Sequence, residues 1–202
     1  MRTWILAACG FLLLILATVL PYPLLSTALT VDPTDSFTAD QLTVTVGEPA
    51  ADADGTILVP VTDPTGTWRI DTRTARTENG ELTWFFPAGT IEQTYPVIDP
   101  STGTAHPADF TDTVDLSGFT AFVFTVNDGP YRQFTVEPRT GQLLNVETGD
   151  GAWSAATQAE RLATMEADYQ RIRVTDWLTF VLRTIGGALI IVTVVLWLRA
   201  RV

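Results

Sequence analysis

Lysine is absent from this chain of 202 residues, histidine and cysteine occur once each, and methionine twice. The single Cys9 excludes an intrachain disulfide. One histidine and one cysteine in an apolar run exclude an ordinary zinc site. A Ser–His hydrolase would have to use His106, which precedes Pro107 in a loop pattern, and no G-x-S-x-G elbow is present. A phosphate-binding glycine loop is missing as well. Asp52-Ala53-Asp54-Gly55 lacks the remaining ligands of a calcium loop. Asp109, Asp112 and Asp115 are three apart, so on a strand they cannot all face one way. These absences point away from an enzyme, with no cofactor, metal or catalytic residue expected.

Arginine supplies every side-chain cation. Residues 30–170 hold 22 of the 23 acidic residues against six arginines, a net charge of −16. So acidic a surface repels nucleic acid and anionic headgroups. Salt adaptation and a GC-rich genome both account for the missing lysines.

What is present is organised around the last fifty residues. From Ser154 to Leu198 there is no proline, and the only glycines are Gly186 and Gly187. Ala159, Leu162, Met165, Tyr169 and Ile172 recur at helical steps, so 152–176 reads as an amphipathic helix. Residues 177–199 are apolar nearly all round and long enough to cross a bilayer, with Arg199 and Arg201 closing the run. One continuous helix of about 45 residues, roughly 68 Å long, is predicted. Arg183 lies inside the apolar half and costs about 2.5–3.5 kcal/mol on insertion scales. The nine Ile, Leu and Val residues between Thr184 and Leu198 outweigh it at roughly −4 kcal/mol. Arg183 either snorkels outward, with Asp176 two turns away as partner, or lines a pore or subunit contact.

Residues 1–24 read as a first transmembrane helix, ended by Pro21 and Pro23. A cleavable signal peptide is the rival, because Ser26-Thr27-Ala28 resembles a cleavage site. With Arg2, Arg199 and Arg201 flanking the runs, both termini are expected in the cytoplasm and residues 30–170 outside it. Small residues (Thr3, Ala7, Gly10 and Ala17 in one run, Thr184, Gly187 and Ala188 in the other) offer close-packing faces.

Residues 30–40 read as a polar linker. Beyond them, eight or nine short strands separated by turn signals predict an antiparallel β-meander across 30–151. Leu82, Trp84 and Phe86 alternate as one strand after an Asn79-Gly80 hairpin turn, Pro96 marks an edge, and Ala121–Val126 reads as central. The fold class is therefore an α+β membrane protein, its external β domain held between an N-terminal transmembrane helix and a long C-terminal helix. Trp68, Trp84, Phe86, Phe122 and Phe124 read as ordinary core, or as the lining of an apolar ligand site should the sheet curve against the helix.

Thr94–Phe110 reads TYPVIDPSTGTAHPADF. It resembles T-Y-P-x-x-D-x-x-x-G-x-x-x-P-A-D-F in a family of actinobacterial envelope proteins of unknown function, often labelled the PorA porin family. Thr94, Tyr95, Pro96, Asp99, Gly103, Pro107, Ala108 and Asp109 carry the match. Ile70–Ala75, Leu82–Pro87 and Val136-Glu137-Pro138-Arg139-Thr140-Gly141 are similar to neighbouring family stretches. The resemblance implies a two-span envelope protein and supplies no catalytic residues. Two mainly apolar helices cannot enclose water, so a pore would need several chains. The function expected first is a non-enzymatic, membrane-anchored binding or envelope-organising module. Its partners are the lipid bilayer, with an apolar ligand or self-association through the membrane helices, and not nucleic acid. A subunit of an oligomeric pore is the alternative.

Overall fold

The computed structural model describes residues 2–19, 31, 35–40, 42–99 and 101–199, with side chains described for all of these except 2–7 and 171. It has two compact units. Leu29–Glu166 form one, and Met1–Ala28 with Ala167–Val202 form the other.

The first unit holds two antiparallel sheets. The first comprises β1 (Phe37–Ala39), β2 (Leu42–Val46), β3 (Ala50–Ala51), β4 (Ile57–Asp63) and β5 (Gly66–Asp71). β4 is its centre: β5 pairs along one edge, β2 and β3 share the other, and β1 lies outside β2. β6 (Tyr95–Asp99), β7 (Thr104–Leu116), β8 (Phe119–Val126), β9 (Tyr131–Val136), β10 (Leu143–Thr148) and β11 (Gly151–Ala152) form the second sheet, in chain order. The sheets share one core: Val44, Val59 and Ile70 of the first belong to the same buried cluster as Val97, Phe124 and Phe134 of the second.

The expected single meander is thus two sheets, and only the second is a meander. The segment between them explains the division. Leu82 to Phe86 was expected to alternate as a strand, yet Leu82, Thr83, Trp84, Phe85 and Phe86 are all buried in succession. A strand with one wet face cannot do that. The segment instead crosses the core as irregular chain and is tied at both ends. Leu82 donates to the Pro96 carbonyl at 2.7 Å, Ile98 donates to the Leu82 carbonyl at 2.8 Å, and Phe86 donates to Gly141 at 3.2 Å. Asn79-Gly80 turns the chain with Gly80 at φ +94, but isolated bridges follow it rather than a hairpin ladder.

Pro96 does mark an edge, since β6 is the terminal strand of its sheet. It sits opposite Pro107 of β7. The Pro96 carbonyl points away from β7, toward Leu82, so this is a non-hydrogen-bonded position and the paired prolines remove no ladder bond. β8 is central as expected, flanked by β7 and β9. The expected linker over 30–40 contains β1, and Val31 donates to the Thr72 carbonyl at 2.7 Å.

α2 runs unbroken from Ala155 to Arg199. Ser154 caps it by accepting from Thr157 N at 3.3 Å, and Asp40 receives Ser154 N at 2.9 Å and Thr157 Oγ1 at 3.1 Å. Those bonds, chiefly Ser154's, hold the Asp40 carboxyl below its usual range. In the first turns the buried face differs from the apolar stripe. Ala159 is exposed, whereas Thr157, Arg161 and Met165 are buried. Met165 packs with Ala121 and Leu144 on the second sheet. Arg161 reaches that face because its guanidinium lies 4.4 Å from the Phe37 ring centroid and its Nε donates to the Leu143 carbonyl at 3.1 Å. An apolar pattern alone cannot register such a cation.

In the other unit, α1 (Arg2–Val19) packs against the later part of α2. A Cβ placed on Gly10 would meet the Gly186 carbonyl oxygen at 2.9 Å, and one on Gly186 would meet the Gly10 oxygen at 2.9 Å and Leu14 at 3.1 Å. Gly10 also faces Ile190 and Leu189, so the helices run antiparallel. Gly186, not the expected Gly187, makes the close approach, and nothing lies within 4 Å of a Cβ on Gly187. α2 is the one described helix long and apolar enough to cross a membrane, and only 6% of its most apolar window is buried. The described apolar stretch of α1, Ala8–Val19, is shorter. The cleavage-site reading at 26–28 lies outside the described residues.

Candidate binding cavity

Three acidic residues followed by proline close turns in the β domain and are buried there. Asp63-Pro64-Thr65-Gly66 joins β4 to β5. Asp63 Oδ1 accepts from Thr65 N at 2.7 Å, Thr65 Oγ1 at 2.5 Å and Gly66 N at 3.1 Å. Asp99 closes the β6–β7 turn, accepting from Ser101 N at 2.8 Å, Ser101 Oγ at 2.7 Å and Thr102 Oγ1 at 2.9 Å. Glu137 does the same before Gly141, accepting from Arg139 N at 3.0 Å and from Thr140 N and Oγ1 at 2.7 Å. A side-chain carboxylate that captures amides two and three residues on is the Asx-turn device, which Glu137 reproduces with one more methylene.

Two of these turns meet. Asp63 and Asp99 line one open cavity of about 230 Å³. Trp84 and Tyr131 wall it, with Leu42, Pro64 and Pro130 adding apolar surface. Asp63 is 6% exposed, Asp99 5%, Trp84 6% and Tyr131 8%. Trp84 is positioned by the core-crossing segment, and its Nε1 donates to Asp63 Oδ2 at 2.6 Å. Tyr131 opens β9 just after the Asn127–Pro130 turn. Its ring stands at 85° to that of Trp84, with centroids 5.7 Å apart.

The cavity is electrostatically negative. Burial pushes the Asp99 carboxyl upward, but hydrogen bonds from Ser101 and Thr102, with His106 adding its charge, outweigh it and leave the pKa below the usual range. The Tyr131 hydroxyl is driven well above its ordinary pKa, first by burial and then by the charges of Asp63 and Asp99. It is therefore a neutral phenol and not a base. The carboxylate oxygens are occupied by their turn donors and, at Asp63 Oδ2, by Trp84 Nε1, so they offer a field more than free lone pairs. Among the described residues no group of three His, Cys, Asp or Glu is placed to hold a metal ion.

Of the five aromatics named from sequence, Trp84 alone lines this cavity. Phe86 and Phe124 stack in the core at 5.1 Å, and Trp68 and Phe122 pack against that core half-buried. The Thr94–Asp109 motif is the β6–β7 hairpin itself. Thr94 Oγ1 donates to Asp109 Oδ1 at 2.7 Å, Tyr95 and Ala108 are opposite and buried, and Gly103 adopts φ +70 to end the turn. Asp99 is the motif residue that reaches the cavity. Arg183 and Asp176 are both exposed on α2. Asp63, Thr65 and Tyr131 escaped the sequence reading. The signal for Asp63 was present, because Asp63-Pro64-Thr65-Gly66 shares the acidic-Pro-…-Gly form of Asp99–Gly103 and Glu137–Gly141. Comparison with known proteins finds no matching family model and no matching curated protein.

Proposed function

We propose that the chain is a non-enzymatic, membrane-anchored binding module whose β domain is held outside the cytoplasm. The observation that carries this reading is the change of character along α2. Its first turns are packed on a sheet through Met165, while its later apolar half shows Trp177, Phe180, Ile191 and Val194 uncovered. Exposed apolar surface of that extent is costly in water, at roughly 25 cal/mol per Å². A bilayer removes the cost. The acidic domain disfavours contact with anionic headgroups, and Arg199 at the end of α2 supports a cytoplasmic C-terminus. The resemblance of the β6–β7 hairpin to the PorA-labelled envelope family supports the same location.

The test is protease applied outside whole cells or right-side-out vesicles. Cleavage within 30–150 with both termini protected is the expected result, and a protected β domain would overturn it. A mature chain starting near Leu29 would replace the first span by a signal peptide. Single-channel conductance in planar bilayers that vanishes in Arg183→Leu would favour an oligomeric pore.

A further inference from the structure

We propose that the cavity between the Asp63 and Asp99 turns binds a quaternary ammonium group. The inference rests on the binding-module reading and names its ligand class. Two aromatic rings at 85° form a corner, and two carboxylates lie in the same lining. A cation over aromatic faces is attracted by the ring quadrupoles, more so where water is excluded. The lining also says which cation. Asp63 and Asp99 already accept hydrogen bonds from Thr65, Trp84, Ser101 and Thr102, so their oxygens are poorly placed to replace the waters of a metal ion or a primary ammonium. A quaternary ammonium has no N–H to satisfy and is weakly hydrated. It needs only apolar contact and a negative field, which this cavity supplies.

The size agrees. About 230 Å³ is below the roughly 300–1,000 Å³ of drug-sized pockets, so a small cation or the head of a larger molecule fits. Tyr131 adds a second recognition element. Tyr131 lines the open cavity, so its neutral hydroxyl can bond a polar substituent on the same ligand. A free cation and a choline lipid headgroup carry the same group, and the probes below separate them.

The experiment is calorimetric titration of the full chain in maltoside micelles with choline, tetramethylammonium, glycerophosphocholine and the neutral isostere 3,3-dimethylbutan-1-ol. Choline should bind saturably at one site, with the isostere at least about tenfold weaker, equivalent to about 1.4 kcal/mol. Tyr131→Phe should erase the advantage of choline over tetramethylammonium. Asp99→Asn should weaken choline at least about fivefold. Leu42→Trp, which fills the cavity while leaving both carboxylates in the chain, should abolish binding with the far-UV circular dichroism and cooperative unfolding retained. Glycerophosphocholine at least as tight as choline would identify the source as a headgroup, and the reverse a free cation; either supports the proposal. Equal affinity for choline and its isostere overturns it. So does the absence of saturable heat, or wild-type binding by a folded Leu42→Trp. Protease accessibility of the same protein in vesicles is read separately. A domain that is outside but does not bind ammonium sinks this inference alone.

Discussion

Gly141 and Gly103 end two turns of the same design, and alanine at each separates backbone strain from collision. Gly141 has φ +76 and Gly103 φ +70, so both substitutions force an L-residue into the left-handed region at about 1–2 kcal/mol. Gly103 has nothing within 4 Å of an added Cβ. At Gly141 that carbon would lie 2.0 Å from the Phe86 oxygen and 2.7 Å from its carbonyl carbon. Ordinary contact begins at 3.4 Å, so the Phe86 backbone must retreat by about 1.4 Å. That loses the Phe86 N–Gly141 O bond, about 0.5–1.5 kcal/mol. It also displaces a ring that is 1% exposed and packed on Tyr95, Phe124 and Phe134, at about 1–3 kcal/mol. The expected totals are about 1–2 kcal/mol for Gly103→Ala and about 3–6 kcal/mol for Gly141→Ala. At about 4 °C per kcal/mol these correspond to losses in Tm of about 4–8 °C and more than about 12 °C. The assay is thermal unfolding of the detergent-solubilised full chain, followed by near-UV circular dichroism. Phe86 ends the segment that brings Trp84 to the cavity, so Gly141→Ala should also change the tryptophan signal before unfolding. Equal Tm shifts for the two variants would refute the packing argument.

Four further outcomes are expected. Thr83 Oγ1 is buried with no hydrogen-bond partner, so Thr83→Val should stabilise by about 1 kcal/mol or more in urea titrations, and a loss would show an unseen partner. Gly186→Leu should separate α1 from α2 and Gly187→Leu should not, read by crosslinking cysteines placed on the two helices after Cys9 is replaced. With −16 across residues 30–170, Tm should rise with salt as the Debye length falls from about 30 Å at 0.01 M to about 3 Å at 1 M; a salt-independent Tm would attribute the missing lysines to genome composition. Asp99, its pKa depressed in the fold, contributes stability above its ordinary 3.8 and loses it as pH falls through the lower folded value. The gap between wild type and Asp99→Asn should therefore close below pH 3.8, and a gap constant down to pH 2 would contradict that assignment.

The sequence by itself determined the elements whose signal is local and periodic. A proline-free run from Ser154 to Leu198 became one helix, capped at Ser154. Short runs separated by turn signals became β6 to β10, with Pro96 at the edge and the apolar run Ala121–Val126 inside central β8. The acidic-Pro turns are local in the same sense: their hydrogen bonds close within four residues. Tertiary structure decided what distant segments do to one another. Leu82–Phe86 has the alternation of a strand, but core space between two sheets and bonds from Pro96 and Gly141 override it. Arg161 is polar and buried because Phe37 and the Leu143 carbonyl, more than a hundred residues apart, converge on it. The close helix crossing fell to Gly186, whose neighbour Gly187 looks identical in sequence, because helix rotation is set by the partner. The cavity is the extreme case. Asp63, Trp84, Asp99 and Tyr131 come from four separate turns and segments, and only the packing of the two sheets brings their charges and rings to one place.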